Sequence, residues 1–97
     1  MRIKILKSAS RDLVDGYCFY EKQAEGLGGY FLESLFSDID SLKIYAGIHT
    51  VHFEKYQRLL SKRFPFAVYY HLEDDTVFIH AVLDCRRNPA WVRKKLR

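Results

Sequence analysis

Ninety-seven residues, 48% hydrophobic and 15% aromatic, describe a single folded domain spanning 1–97 and exclude a disordered chain. No apolar run approaches the ~18 residues of a membrane span, and the alternating stretch Met1–Lys7 is too short for a signal peptide, so a cytoplasmic protein is expected. The net charge of +4 is unevenly placed: residues 1–54 hold six Lys/Arg and eight Asp/Glu, whereas residues 55–97 hold ten and four. Such asymmetry suits a polyanionic partner, either nucleic acid or an acidic protein segment; an ordinary solvated basic tail is the alternative.

Arg2 to Leu6 alternates charged and apolar residues, as a half-exposed strand does. Ser8 or Ser10 then offers an N-cap and Asp12 an acidic first turn. Leu13, Tyr17, Tyr20 and Ala24 recur at helical spacing, which predicts an amphipathic helix over 10–25 with Gly16 as its weak point. The glycines of Glu25-Gly26-Leu27-Gly28-Gly29 make a tight reversal; no strand precedes them and no Gly-Lys-Ser/Thr follows, so they do not form a phosphate-binding loop. A second helix is expected over 29–46, with Leu32, Leu35, Phe36, Ile39, Leu42 and Ala46 as its apolar stripe and Gly47 as its stop. The two helices form an antiparallel hairpin.

The segment 48–55 reads as a connection. His49 and His52 are too isolated for a metal site. Cys18 and Cys85 lie in no metal-type spacing and read as reduced core or near-core thiols, with a disulfide between them as the alternative. No metal and no cofactor is expected.

Three strands follow, over 56–62, 66–73 and 76–84, with Asp74-Asp75 as a two-residue turn. That turn sets Leu72 opposite Val77, His71 opposite Phe78, Tyr70 opposite Ile79 and Tyr69 opposite His80. Strict alternation turns Val68, Tyr70, Leu72, Val77, Ile79, Ala81 and Leu83 toward the helices. Ala67, Tyr69, His71, Phe78, His80, Val82 and Asp84 then share an open, mixed face. A three-residue loop at 63–65 would bury Arg58 and Lys62 under the helices, at a cost of several kcal/mol. A four-residue loop keeps both cations on the mixed face and turns Leu59 inward, and this register is preferred.

Beyond Asp84, Asn88 and Pro89 have the chemistry of an N-cap and a first helical residue. A short helix to Leu96 follows, with Trp91 and Leu96 as its anchors and Arg93, Lys94, Lys95 and Arg97 as its charges. The predicted fold is α+β, in the order β-α-α-β-β-β, with an antiparallel sheet, a helical hairpin on one face and a short C-terminal helix.

That order, the Glu25-Gly26-Leu27-Gly28 turn, the stretch from Arg58 to Trp91 and the basic C-terminus together resemble the RelE/ParE superfamily of type II toxin–antitoxin toxins. The resemblance implies a small cytoplasmic bacterial toxin linked to growth inhibition and plasmid stabilisation. It also implies a cognate antitoxin that wraps around the toxin as a hetero-oligomer. RelE-like members cleave mRNA on the ribosome with basic residues on the open face; ParE-like members inhibit DNA gyrase. For a nuclease, the candidate catalytic residues are Arg58, Lys62, His71, His80 and Arg86. Arg86 matches a functional arginine after the last strand, and Arg58 lies near a functional lysine. Ala67 replaces the central-strand arginine, and Trp91 and Val92 occupy the region of the C-terminal tyrosine. These departures favour the ParE-like branch, with Arg58, Lys62, Tyr69, Arg86, Arg87, Trp91 and Arg93 as candidate binding residues. Whether the chain is an enzyme stays open, as does a non-toxic binding module on the same fold.

Overall fold

The computed structural model describes residues 1–53 and 55–96. The elements run β1 (Arg2–Ile5), α1 (Lys7–Gln23), α2 (Leu27–Asp40), α3 (Leu42–Tyr45), β2 (Val51–His52), β3 (Tyr56–Leu60), β4 (Phe66–Glu73), β5 (Thr76–Asp84) and α4 (Pro89–Lys95). They build one five-stranded sheet in the order β1-β5-β4-β3-β2. The helical hairpin covers one face and α4 packs on the other.

The β4–β5 turn explains the sheet's tightest feature. Asp74 and Asp75 take φ of 49° and 61°. Two successive left-handed residues twist a two-residue loop to match the strands it joins. The register from Leu72↔Val77 to Tyr70↔Ile79 follows from that turn. The β3–β4 register also holds: Arg58 faces Tyr69 and Leu59 faces Val68, and Ser61 N–H donates to Phe66 O at 2.8 Å across a loop of residues 62–65. Leu59 packs inward and Leu60 is left 53% exposed, which avoids burying the Arg58 charge under the helices.

Beyond Tyr70 strict alternation fails. β5 carries a bulge, so that Tyr69 pairs with Ala81 and not with His80. One extra residue inverts every side chain after it. Val82 therefore joins the core under the hairpin, while Ala81 and Leu83 turn to the other face.

The sheet is mixed and not purely antiparallel, because β1 runs parallel to β5. β1 covers only Thr76–Ile79 of that edge. α1 satisfies the next groups: Ser8 Oγ donates to His80 O at 2.7 Å, and Val82 N–H donates to Asp12 Oδ2 at 3.0 Å. Ser8 and Asp12 thus bond to the sheet and do not cap α1, whose N-cap is Leu6 without a side-chain bond. The stretch read as a plain connection also contributes an edge strand, β2, paired with β3.

Within the hairpin the buried face is Ala9, Leu13, Gly16 and Tyr20 against Phe31, Leu35 and Ile39. Leu35, Ile39 and Leu42 of the expected stripe are buried, but Phe31 fills the core beside them and Phe36 is 46% exposed. Gly16 is a packing contact and not merely a weak point. A Cβ built there would lie 2.4 Å from the Phe31 ring. Phe31 in turn meets Phe64 and Phe66 edge-on at 5.2 and 5.0 Å, which pins the β3–β4 loop to the hairpin. Gly26 opens α2 at φ 86°, a left-handed position that favours glycine. Glu21 accepts from the N–H groups of Gly26 and Gly28, both at 2.9 Å. Cys18 and Cys85 are free and exposed, not core thiols.

Candidate functional site

α4 closes over the face that alternation leaves open. Asn88 caps it by accepting from Ala90 N–H at 2.7 Å, and Pro89 takes the first turn. Val92 and Leu96 then bury against Tyr56, Ala67, Tyr69, Ala81 and Leu83. Tyr69 is only 3% exposed, so it forms part of this second core and not of an accessible surface. The burial has a plain cause: the bulge supplies Ala81 and Leu83 as an apolar floor, and α4 covers it. The Tyr56 hydroxyl fixes the end of the helix by donating to Leu96 O at 2.9 Å.

The cations lie around this lid. Arg86 is clamped by Asp84: its N–H and Nε donate to Oδ1 at 2.8 and 3.0 Å, and its Nη2 donates to Oδ2 at 2.7 Å. Those donors hold the Asp84 carboxyl below the usual aspartate range, and the contact raises the guanidinium further. Arg87 lies over the Trp91 ring at 4.6 Å, with the Lys95 ammonium 5.6 Å from the same ring. Lys95, four residues beyond Trp91 within α4, is placed there by helical spacing, whereas Arg87 precedes the helix. Arg93 lies over Phe53 at 5.5 Å. Arg58 is half-buried opposite Tyr69, and Lys62 is exposed in the β3–β4 loop. Arg97, read as part of the basic end, lies outside the described residues.

At the far end of the sheet His71 and His80 meet, Nδ1 to Nε2, at 2.6 Å. His71 also stacks on Phe78 at 4.9 Å, and Tyr56 meets His80 edge-on at the same separation. Burial lowers the His80 pKa, with His71 and Lys55 adding to the shift.

The five nuclease candidates are therefore not one constellation. Lys62 and Arg86 belong to the end where Phe66 pairs with Asp84, and His71 to the row of Phe78. Five residues of β4 separate these rows, roughly 17 Å at ~3.4 Å per residue. α4 and its apolar floor lie on the face between them. A single phosphodiester does not span that distance.

A groove of about 300 Å³ runs between α1 and α4, walled by Asp12, Asp15 and Phe19 on one side and by Arg87, Trp91 and Lys95 on the other. Burial pushes the Asp12 carboxyl above its ordinary value, only partly offset by the Val82 N–H bond. Ser8 and Asp12, one helical turn apart on the face toward the sheet, are the signal by which this wall was readable. Among the described residues no group of three or more His, Cys, Asp or Glu side chains is placed to hold a metal. Among the described residues no helix is long and apolar enough to cross a membrane.

No protein-family model and no curated protein matches the chain. Among solved structures it is similar to a chain of the chromosomal ParDE TA system from P. aeruginosa, at 17% identity and a TM-score of 0.75, over 84% of this chain and 92% of that one. The two chains share a fold. The α+β order expected from the sequence is the one observed.

Proposed function

We propose that this chain is the toxin of a bacterial type II toxin–antitoxin system and acts as a ParE-like inhibitor of DNA gyrase in the cytoplasm. A cognate antitoxin neutralises it within a hetero-oligomer. The fold shared with a chain of a ParDE TA system supports the toxin–antitoxin part. The observation that carries the choice of target is the dispersal of the nuclease candidates. Arg86 is held by Asp84 at one end of the sheet, the histidines pair at the other, and Ala67 is buried under α4 at the place of the missing arginine. Phosphoryl chemistry needs its cations and its acid–base groups around one phosphate. In this reading Arg58, Lys62, Arg86, Arg87 and Arg93, with Trp91, bind a macromolecular surface.

A second reading, ribosome-dependent mRNA cleavage, draws on one observation: His71 and His80 form a proton-sharing pair close to Lys55.

Induced expression separates these readings. Growth arrest that is relieved by an adjacent small open reading frame, with loss of DNA supercoiling, is the expected result. Cleavage of translated mRNA that disappears in Arg58→Ala or Arg86→Ala would overturn the gyrase target. Unimpaired growth at full expression would leave a non-toxic binding module.

A further inference from the structure

The contact between His71 and His80 carries more than a role in packing. The ring centres are 4.7 Å apart and the nearest nitrogens 2.6 Å. The two nitrogens therefore lie close to the line joining the rings, with their lone-pair directions opposed. A chelated metal would need both lone pairs to converge on a third point and further ligands beside it. A proton fits the gap as it is. One nitrogen must be bare to accept from the other, so the pair keeps its contact while neutral or singly protonated. A second proton places N–H against N–H and breaks it.

The surroundings connect this event to α4. Phe78 fixes His71 by stacking, and Ser8 holds the backbone of His80 at the bulge. The His80 ring lies against Tyr56, and the Tyr56 hydroxyl holds Leu96 at the end of α4. We propose that the His71–His80 pair is a proton-operated latch: the second proton separates the rings, displaces Tyr56 and releases α4, uncovering Tyr69, Ala81 and Leu83.

The charge acting on the pair from outside opposes that second proton. From the β3 side Lys55 acts on His80, and Arg58 follows two residues after Tyr56 on the same face. On α4, Arg93 and Lys95 are engaged with the Phe53 and Trp91 rings. On β4, Glu73 is exposed at the strand end, beyond His71. α1 offers the Ser8 hydroxyl to the His80 backbone, and its Asp12 is engaged with Val82 N–H. On β5 the ring neighbour is uncharged Phe78. The His80 pKa is lowered, first by burial and then by His71 and Lys55. A docked state with a depressed imidazole pKa binds fewer protons than the released one. Docking is therefore complete above the ordinary histidine value of ~6.5 and weakens as pH falls through the depressed value.

Amide hydrogen exchange of the whole chain between pH 8 and pH 5, corrected for intrinsic exchange, tests this. The expected result is that α4 amides lose protection by up to about tenfold per pH unit below pH ~6.5, while β4 amides keep theirs. The loss is absent in His71→Asn. Should that variant not fold, Tyr56→Phe gives the second arm: it keeps the pair but cuts the transmission, so α4 protection is low and flat with pH. Wild-type α4 protection that is flat over this range would overturn the latch. So would an undiminished transition in His71→Asn or Tyr56→Phe, or loss of β4 protection together with α4.

Discussion

The Tyr56 hydroxyl reaches 40 positions along the chain to donate to Leu96 O at 2.9 Å, and this buried bond holds α4 on the sheet. Tyr56→Phe keeps the ring and leaves that carbonyl without its donor. A loss of about 1 kcal/mol is expected, read as a lower urea midpoint, with faster exchange concentrated in α4. An unchanged midpoint together with unchanged α4 exchange would mean that Val92 and Leu96 hold the helix alone.

Gly16 and Gly29 predict opposite signs. A methyl at Gly16 meets the Phe31 ring at 2.4 Å, whereas nothing lies within 4 Å of one at Gly29. Gly16→Ala is expected to cost about 1–3 kcal/mol by overpacking. Gly29→Ala, inside α2, is expected to gain up to about 1 kcal/mol from helix propensity. Chemical denaturation of the two variants beside the parent checks both.

Asp12 is held near the sheet by a single bond and pays desolvation for its charge. Asp12→Asn keeps an oxygen acceptor for Val82 N–H without the charge, so its stability at pH 7 is expected to equal or exceed the parent's. Asp12→Leu orphans that N–H and is expected to cost about 1–3 kcal/mol. Because the Asp12 pKa is raised, the parent's deficit against Asp12→Asn closes as pH falls below the folded value.

The Asp84–Arg86 clamp has the opposite pH sign. The Asp84 pKa is depressed, chiefly by the Arg86 side-chain bonds. Its contribution is present above the unfolded aspartate value of ~3.9 and is lost as pH falls through the folded value. In Arg86→Ala the Asp84 carboxyl is expected to titrate at higher pH, as followed by carboxyl-carbon NMR. An unmoved titration would show that the clamp does not persist in solution.

Much of this fold was legible from local chemistry. Asp74-Asp75 marked the turn, and the cost of burying Arg58 fixed the β3 register. Asn88-Pro89 marked the start of α4. The bulge at His80 left no trace, because Ala81, Val82 and Leu83 are all apolar and suit either face. Missing it inverted that run and made the mixed face look open. Tyr69 lies on the face that alternation gives it, and α4 covers that face and makes it core. Phe31 and Phe36 are both aromatic positions on one helix, and Gly16 leaves room for the Phe31 ring. The candidate site was legible as a list of cations but not as a layout, since the length of β4 and the α4 lid separate Arg86 from the histidines.

A DNA supercoiling assay with purified gyrase and the purified chain tests the proposed target. Loss of supercoiling with rising protein, restored by the product of the adjacent open reading frame, is the predicted result. Supercoiling that continues undiminished, while the same preparation cuts mRNA on translating ribosomes, would contradict it.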